Sequence, residues 1–220
     1  SEYGLTTVSR PVHLNREFRR RGWLTVKEEL GLEVLDPGNS KVFAVADHQV
    51  AHVYLNDRRL RNEVEDLLAS LPGVADVWDF PMKVENGLAH PRAGDWVVWA
   101  QEDAWFTYYY WLEDRVAPDF ARCVDIHRKP GYDPVELFLD PALAAPKLKI
   151  AWKLLQKKLG FRMLMDVIPL NASLVNGSHG IRPASPDDWP VFISPKALPG
   201  EVLGSHDVYS LIRQSVVGGS

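Results

Sequence analysis

What most narrows the folds open to this chain is the order of β-rich runs around one amphipathic helix between residues 41 and 101. Residues 41–46 and 50–55 are dense in β-branched and aromatic side chains and read as strands. Leu60, Val64, Leu67, Leu68 and Leu71 mark one face of a helix that Pro72-Gly73 ends. Residues 74–80 and 95–101 supply two further strands. This order predicts a small α+β subdomain, residues 41–103, packed beside a main sheet. The expected fold class is α/β. Residues 1–40 and 161–220 then form the main sheet with its flanking helices, and 104–160 is an insertion.

The rest of the chain is organised around that unit. Leu14 and Phe18, four apart and followed by Gly22, predict a helix over 12–22, with Arg19, Arg20 and Arg21 at its C-terminal end, where cations suit the dipole. Those arginines read as a solvated basic end rather than a phosphate patch. The run Trp105-Phe106-Thr107-Tyr108-Tyr109-Tyr110-Trp111 reads as core or interface packing rather than a stacking platform for a nucleobase. Residues 146–160 predict an amphipathic helix whose stripe, Leu148, Trp152, Leu155 and Leu159, packs on the protein itself rather than on an anionic membrane. Residues 161–170 read as a strand leading into a turn at His179, and the Pro-rich stretch 183–199 as surface loop. The Gly-Gly-Ser end, 218–220, is the only low-complexity stretch.

Composition removes several classes of function. A net charge of −4 gives no electrostatic reason for a nucleic-acid partner. The single cysteine, Cys123, excludes an intrachain disulfide framework and a Cys-based zinc finger. No apolar run approaches the roughly 20 residues of a membrane span, and the expected location is cytoplasmic.

Two short motifs carry the chemistry. The chain opens on Ser1-Glu2-Tyr3-Gly4, and Asn176-Gly177-Ser178-His179-Gly180 lies far downstream. Together they resemble two metal-binding turns of the alkaline phosphatase superfamily, in its type I phosphodiesterase, nucleotide pyrophosphatase and phosphonoacetate hydrolase branches. There a Ser-Asp-His-Gly turn follows a central strand, and a later Gly-Ser/Thr-His-Gly turn brings the last zinc-binding histidine. Residues 11–24 resemble the helix after the first turn, which often reads Leu-Asn-x-x-Leu-x-x-x-Gly-Leu-Leu. Val53-Tyr54-Leu55 and Gly73-Val74-Ala75-Asp76-Val77 resemble a Val-Tyr-Leu strand and a Gly-Val-x-x-Val segment of phosphonoacetate hydrolase-like proteins.

The resemblance implies that His179 is a metal ligand, in a glycine-flanked turn that lets an imidazole approach a metal closely. Glu2 aligns with the family's Asp and is an acceptable hard ligand. Tyr3 stands where the family has His, and it suits a hydrogen-bond donor to substrate better than a zinc ligand. That departure leaves the second metal position altered, differently filled or empty. The family's nucleophile, a Thr or Ser, lies upstream of the first turn, and no Thr or Ser here has its context.

A second polar block is Asp125-Ile126-His127-Arg128-Lys129. If extended, it puts Asp125 and His127 on one face, able to share a metal or act as an acid/base pair. Arg128 and Lys129 can then offset phosphate charge. The alternative is a loop whose Asp caps a turn. His48 and His52, also four apart, lie in β-like surroundings that would separate them by about 13 Å, so structural roles are expected for both.

The resemblance thus implies a metal-dependent phosphoryl hydrolase with zinc or another divalent ion, two in the complete protein. It would act on a phosphorylated small molecule and work with an N-terminal half of the same protein that carries the nucleophile. The other reading is a non-catalytic binding or accessory module that keeps the fold with a degraded metal site.

Overall fold

The computed structural model describes residues 1–194, 198, 200 and 202–217. In chain order it contains β1 (Thr6–Thr7), β2 (Arg10–Val12), α1 (Leu14–Arg20), β3 (Val26–Glu29), β4 (Leu32–Leu35), β5 (Val42–Asp47), β6 (Val50–Leu55), α2 (Arg61–Ser70), β7 (Val74–Trp78), α3 (Phe80–Glu85), β8 (Trp96–Ala100), β9 (Ala104–Phe106), α4 (Pro146–Lys158), β10 (Gly177–Ser178) and α5 (Ser205–Val217). Short 3-10 turns fill much of 114–137. The protein is a mixed α/β structure. Of the Pro-rich stretch 183–199, residues 195–197 and 199 lie outside the described residues, as does the Gly-Gly-Ser end.

The largest sheet has the order β5-β6-β8-β7, antiparallel throughout. Its alternation is visible in β5, where Val42, Ala44 and Ala46 are buried and the residues between them less so. Val64, Leu67 and Leu68 of α2 are buried, and α2 packs on β7. Lys83 of α3 reaches inward and donates to the carbonyls of Gly94 and Asp95. This ties the 86–95 loop to the sheet.

Three smaller pairings complete the frame. β2 runs parallel to β9, β3 and β4 form a hairpin, and β1 pairs antiparallel with β10. One apolar cluster runs from Val8 to Val175 through both the large sheet and the segments around it. At its centre lies the aromatic run: Trp105, Phe106, Tyr108, Tyr110 and Trp111 are fully buried, as core packing required.

Three expectations are corrected. Residues 161–170 form no strand; among the described residues their β-pairing is one bridge, Cys123 to Asp166, with a few backbone hydrogen bonds to Arg122, Val124 and Asp140 around it. Helix α1 is shorter than 12–22, because Val12 is claimed by β2 and its pairing with β9. The apolar stripe of α4 does not pack inward: Leu148 is 73% and Trp152 58% exposed. The anchors of α4 are polar instead, Lys149 and Lys153 both pairing with Asp166.

Candidate functional site

The β5–β6 hairpin positions the site. His48 sits at its tip with φ of 55°, a left-handed conformation rarely adopted outside glycine, and held here by its surroundings. Its carbonyl accepts from Phe106 N at 2.7 Å. The next residue, Gln49, is fully buried and saturated: it accepts from Thr6 Oγ1 and donates to the carbonyls of Glu102 and Ala104, each at 3.1 Å. Gln49 N donates to the carbonyl of His179 at 3.0 Å. The hairpin tip is thereby stitched to the Ser178-His179 turn and to β9.

Glycine allows two chain segments to lie against this tip. Gly180 has φ of 124°, and a Cβ there would sit 3.2 Å from Val50 Cγ2 and 3.4 Å from Gln49 N. Gly131 has φ of 125°, and a Cβ there would meet the Ala46 carbonyl oxygen at 2.5 Å. Through Gly131 the chain docks beside β5, and Tyr132 N donates to the Ala46 carbonyl at 2.9 Å.

The result is a column of four rings. Tyr3 stacks on His179 with centroids 3.6 Å apart and planes 4° from parallel; His179 meets His48 at 3.8 Å, and His48 meets Tyr132 at 4.5 Å. Ser178 Oγ lies 3.4 Å from His48 Nδ1, and Asp47 Oδ1 lies 3.9 Å from His48 Nε2. The two distant turns of the sequence therefore meet. Burial, then the neighbouring His179, holds the His48 imidazole at about 4, against an ordinary 6.5. Burial also lowers His179, opposed by the charges of Asp47 and Glu2. Both rings are neutral near pH 7, each with one ring nitrogen that carries a lone pair.

Two imidazoles and two carboxylates, Asp47 and Glu2, are donors of the kind zinc takes. Among the described residues, however, no three His, Cys, Asp or Glu side chains form a group able to hold a metal ion. The donor chemistry fits and the set is incomplete, so no step is derived through a metal.

The second polar block is not extended. Ile126–Arg128 is a 3-10 turn, so Asp125 and His127 do not share a strand face. No hydrogen bond, ion pair or ring contact among the described residues joins either to the ring column. Arg128 bonds Asp119 at 2.8 Å and lies over the Phe120 ring. Lys129 is a core residue rather than a surface cation: its ammonium is fully buried, 2.9 Å from Asp133 and 2.6 Å from Glu136. Among the described residues, neither cation has an ion pair or ring contact with a member of the column. What reaches the site from this stretch is Tyr132, three residues beyond the block.

Sequence reasoning missed His48, Asp47 and Tyr132. Reading His48 as a strand residue put its ring on the same sheet face as His52, about 13 Å away. The signal that could have found it was the Asp47-His48-Gln49 break between two β-rich runs, which is a hairpin tip.

Residues 1–133, more than half of the chain, match the family of type I phosphodiesterases / nucleotide pyrophosphatases, and the chain belongs to that family. His179 lies beyond the matched residues. Among solved structures, the chain is similar to phosphonoacetate hydrolase from Sinorhizobium meliloti 1021, in complexes with phosphonoacetate and with phosphonoformate. Identity is 18% in both, with TM-scores of 0.35 and 0.36. The alignments cover 49% and 53% of this chain and only 27% and 29% of the hydrolase. No curated protein matches the chain.

Proposed function

We propose that this chain supplies one wall of the active site of a metal-dependent phosphoryl hydrolase acting on phosphorylated small molecules. Family membership supports the reaction class, and the ring column supports the location. The observation that carries the reading is the stacking of Tyr3 on His179, because it joins the turn inside the family match to the turn outside it. His179 and Glu2 would be ligands to a divalent metal such as zinc, with His48 and Asp47 beside them. A metal there would polarise a phosphoryl oxygen. The remaining ligands and the nucleophile would come from an upstream half of the same protein, consistent with an incomplete donor set.

The chain's own residues have definable tasks. The Tyr3 phenol, half-exposed at the end of the column, donates a hydrogen bond to a substrate oxygen. Ser178 is fully buried, so its hydroxyl orients His48 rather than attacking substrate. In the complete protein, His179→Ala should remove phosphodiesterase turnover on bis(p-nitrophenyl) phosphate, at least a hundredfold in kcat/KM, with bound metal falling in parallel. Unchanged turnover would exclude the site.

A second reading has its own observation. Tyr3, placed where the family has His, covers one face of His179 almost flush. A module that kept the fold and lost the metal would look like this. Absence of both metal and turnover in the complete protein, with intact folding, selects it.

A further inference from the structure

We infer a second ligand site in this protein, a groove on the large sheet that takes a small aromatic anion. The groove has a volume of about 460 Å³ and lies between strands β6 and β8 and the 86–95 loop. That size lies in the range of small-molecule pockets. Val50, Val97 and Trp99 give it an apolar floor, with one broad indole to stack on.

Its polar side chains, by contrast, are all donors. His52 Nδ1 accepts from Gly94 N at 3.2 Å, and His90 Nδ1 accepts from Arg92 N at 3.1 Å. A ring nitrogen that accepts carries no proton, so each neutral imidazole must hold its proton on Nε2. Both rings are thus fixed as Nε2–H donors by the backbone of one loop. Arg92 adds a guanidinium with no ion pair among the described residues. No carboxylate, amide or hydroxyl side chain lines the groove among those residues.

The charges behind the loop are mixed, with Asp79 and Asp95 acting on Lys83. The buried ammonium of Lys83 acts on His52, opposed by Asp47 across the strand. Lys83 is held by the Gly94 and Asp95 carbonyls, so it stays in place as a fixed positive charge behind the loop. A neutral apolar ligand would leave two N–H groups and a guanidinium unanswered. A polyanion without an apolar body would leave the indole floor wet. An aromatic ring bearing one carboxylate, phosphate or phosphonate group satisfies both, because Arg and N–H donors bind such groups with charge-assisted bonds. The site does not depend on the hydrolase reading.

Phenylphosphonate, which has no ester bond to hydrolyse, is the probe. Calorimetric titration into the 220-residue chain should show saturable one-site binding. Benzoate, titrated in parallel, tells whether a carboxylate serves as well as a phosphonate. Arg92→Gln and His90→Ala, both exposed positions that leave the sheet intact, should each weaken phenylphosphonate binding at least tenfold. His179→Ala should leave it unchanged, and benzyl alcohol should not compete. No saturable binding of either anion, equal binding by both loop variants, equal binding of benzyl alcohol, or loss of binding with His179→Ala would each overturn the proposal.

Discussion

At the scale of single residues, the most informative charge is Lys129. A cation in the interior is stable only with its partners, and Asp133 and Glu136 both reach it. Removing it strands two carboxylates without water. Lys129→Met should therefore cost about 3–5 kcal/mol, read from denaturant unfolding. A loss below about 1 kcal/mol would mean that the ammonium is not enclosed. Titration of His13 makes a second prediction. Burial, reinforced by Arg16 and Arg20, holds its imidazole at about 4 instead of 6.5. The unfolded chain takes up that proton near 6.5 and the folded chain only near 4, so unfolding absorbs protons in between. Stability contributed by neutral His13 is complete above 6.5 and falls as pH drops toward 4, by up to about 1.4 kcal/mol per pH unit. His13→Asn should flatten that slope when unfolding midpoints are measured across the window; an unchanged slope would assign the acid sensitivity to other groups.

At the scale of elements, local signals were legible in the sequence and tertiary partners were not. The strands of the large sheet were legible because alternation and turn residues are local signals: Val50–Leu55 was found to the residue, and β8 to within one at each end. The aromatic run was legible because six aromatic side chains in seven residues cannot all be left in water. Residues 161–170 misled because an apolar run does not say whether a partner strand exists, and here none does along its length. The α4 stripe misled for a related reason. A periodicity gives a face but not what covers it; the apolar stripe of α4 stays exposed, and the helix is held instead by Lys149 and Lys153, which pair with Asp166. Trp111→Ala in the core should thus cost about 3–5 kcal/mol, whereas Trp152→Ala on α4 should stay within about 0.5 kcal/mol. Similar losses for the two would place α4's face against the core. The turn at His179 has its own test. Gly180→Ala forces a Cβ toward Gln49 at a positive φ, which should cost about 1–3 kcal/mol. Thermal unfolding measures this, and a neutral effect would mean that the turn is not pressed against the hairpin.

At the scale of the whole molecule, the family was legible from two turns and two β segments, but the candidate site was only half legible. His179, Glu2 and Tyr3 came from motifs. His48, Asp47 and Tyr132 came from tertiary contact, since a hairpin tip and a docked loop meet only after folding. Among the described residues, no contact joins Asp125 or His127 to the column. No helix among the described residues is long and apolar enough to cross a membrane, and the cores of the sheet and the flanking segments are one cluster. The column should therefore persist as a fixed surface of the folded chain. The most direct test is the metal content of the complete protein, purified in zinc-containing buffer and compared with its His179→Ala and Lys129→Met variants by elemental analysis. The account predicts that His179→Ala loses bound metal, while Lys129→Met loses stability and keeps its metal at a temperature where it remains folded. Full metal occupancy in His179→Ala would contradict it.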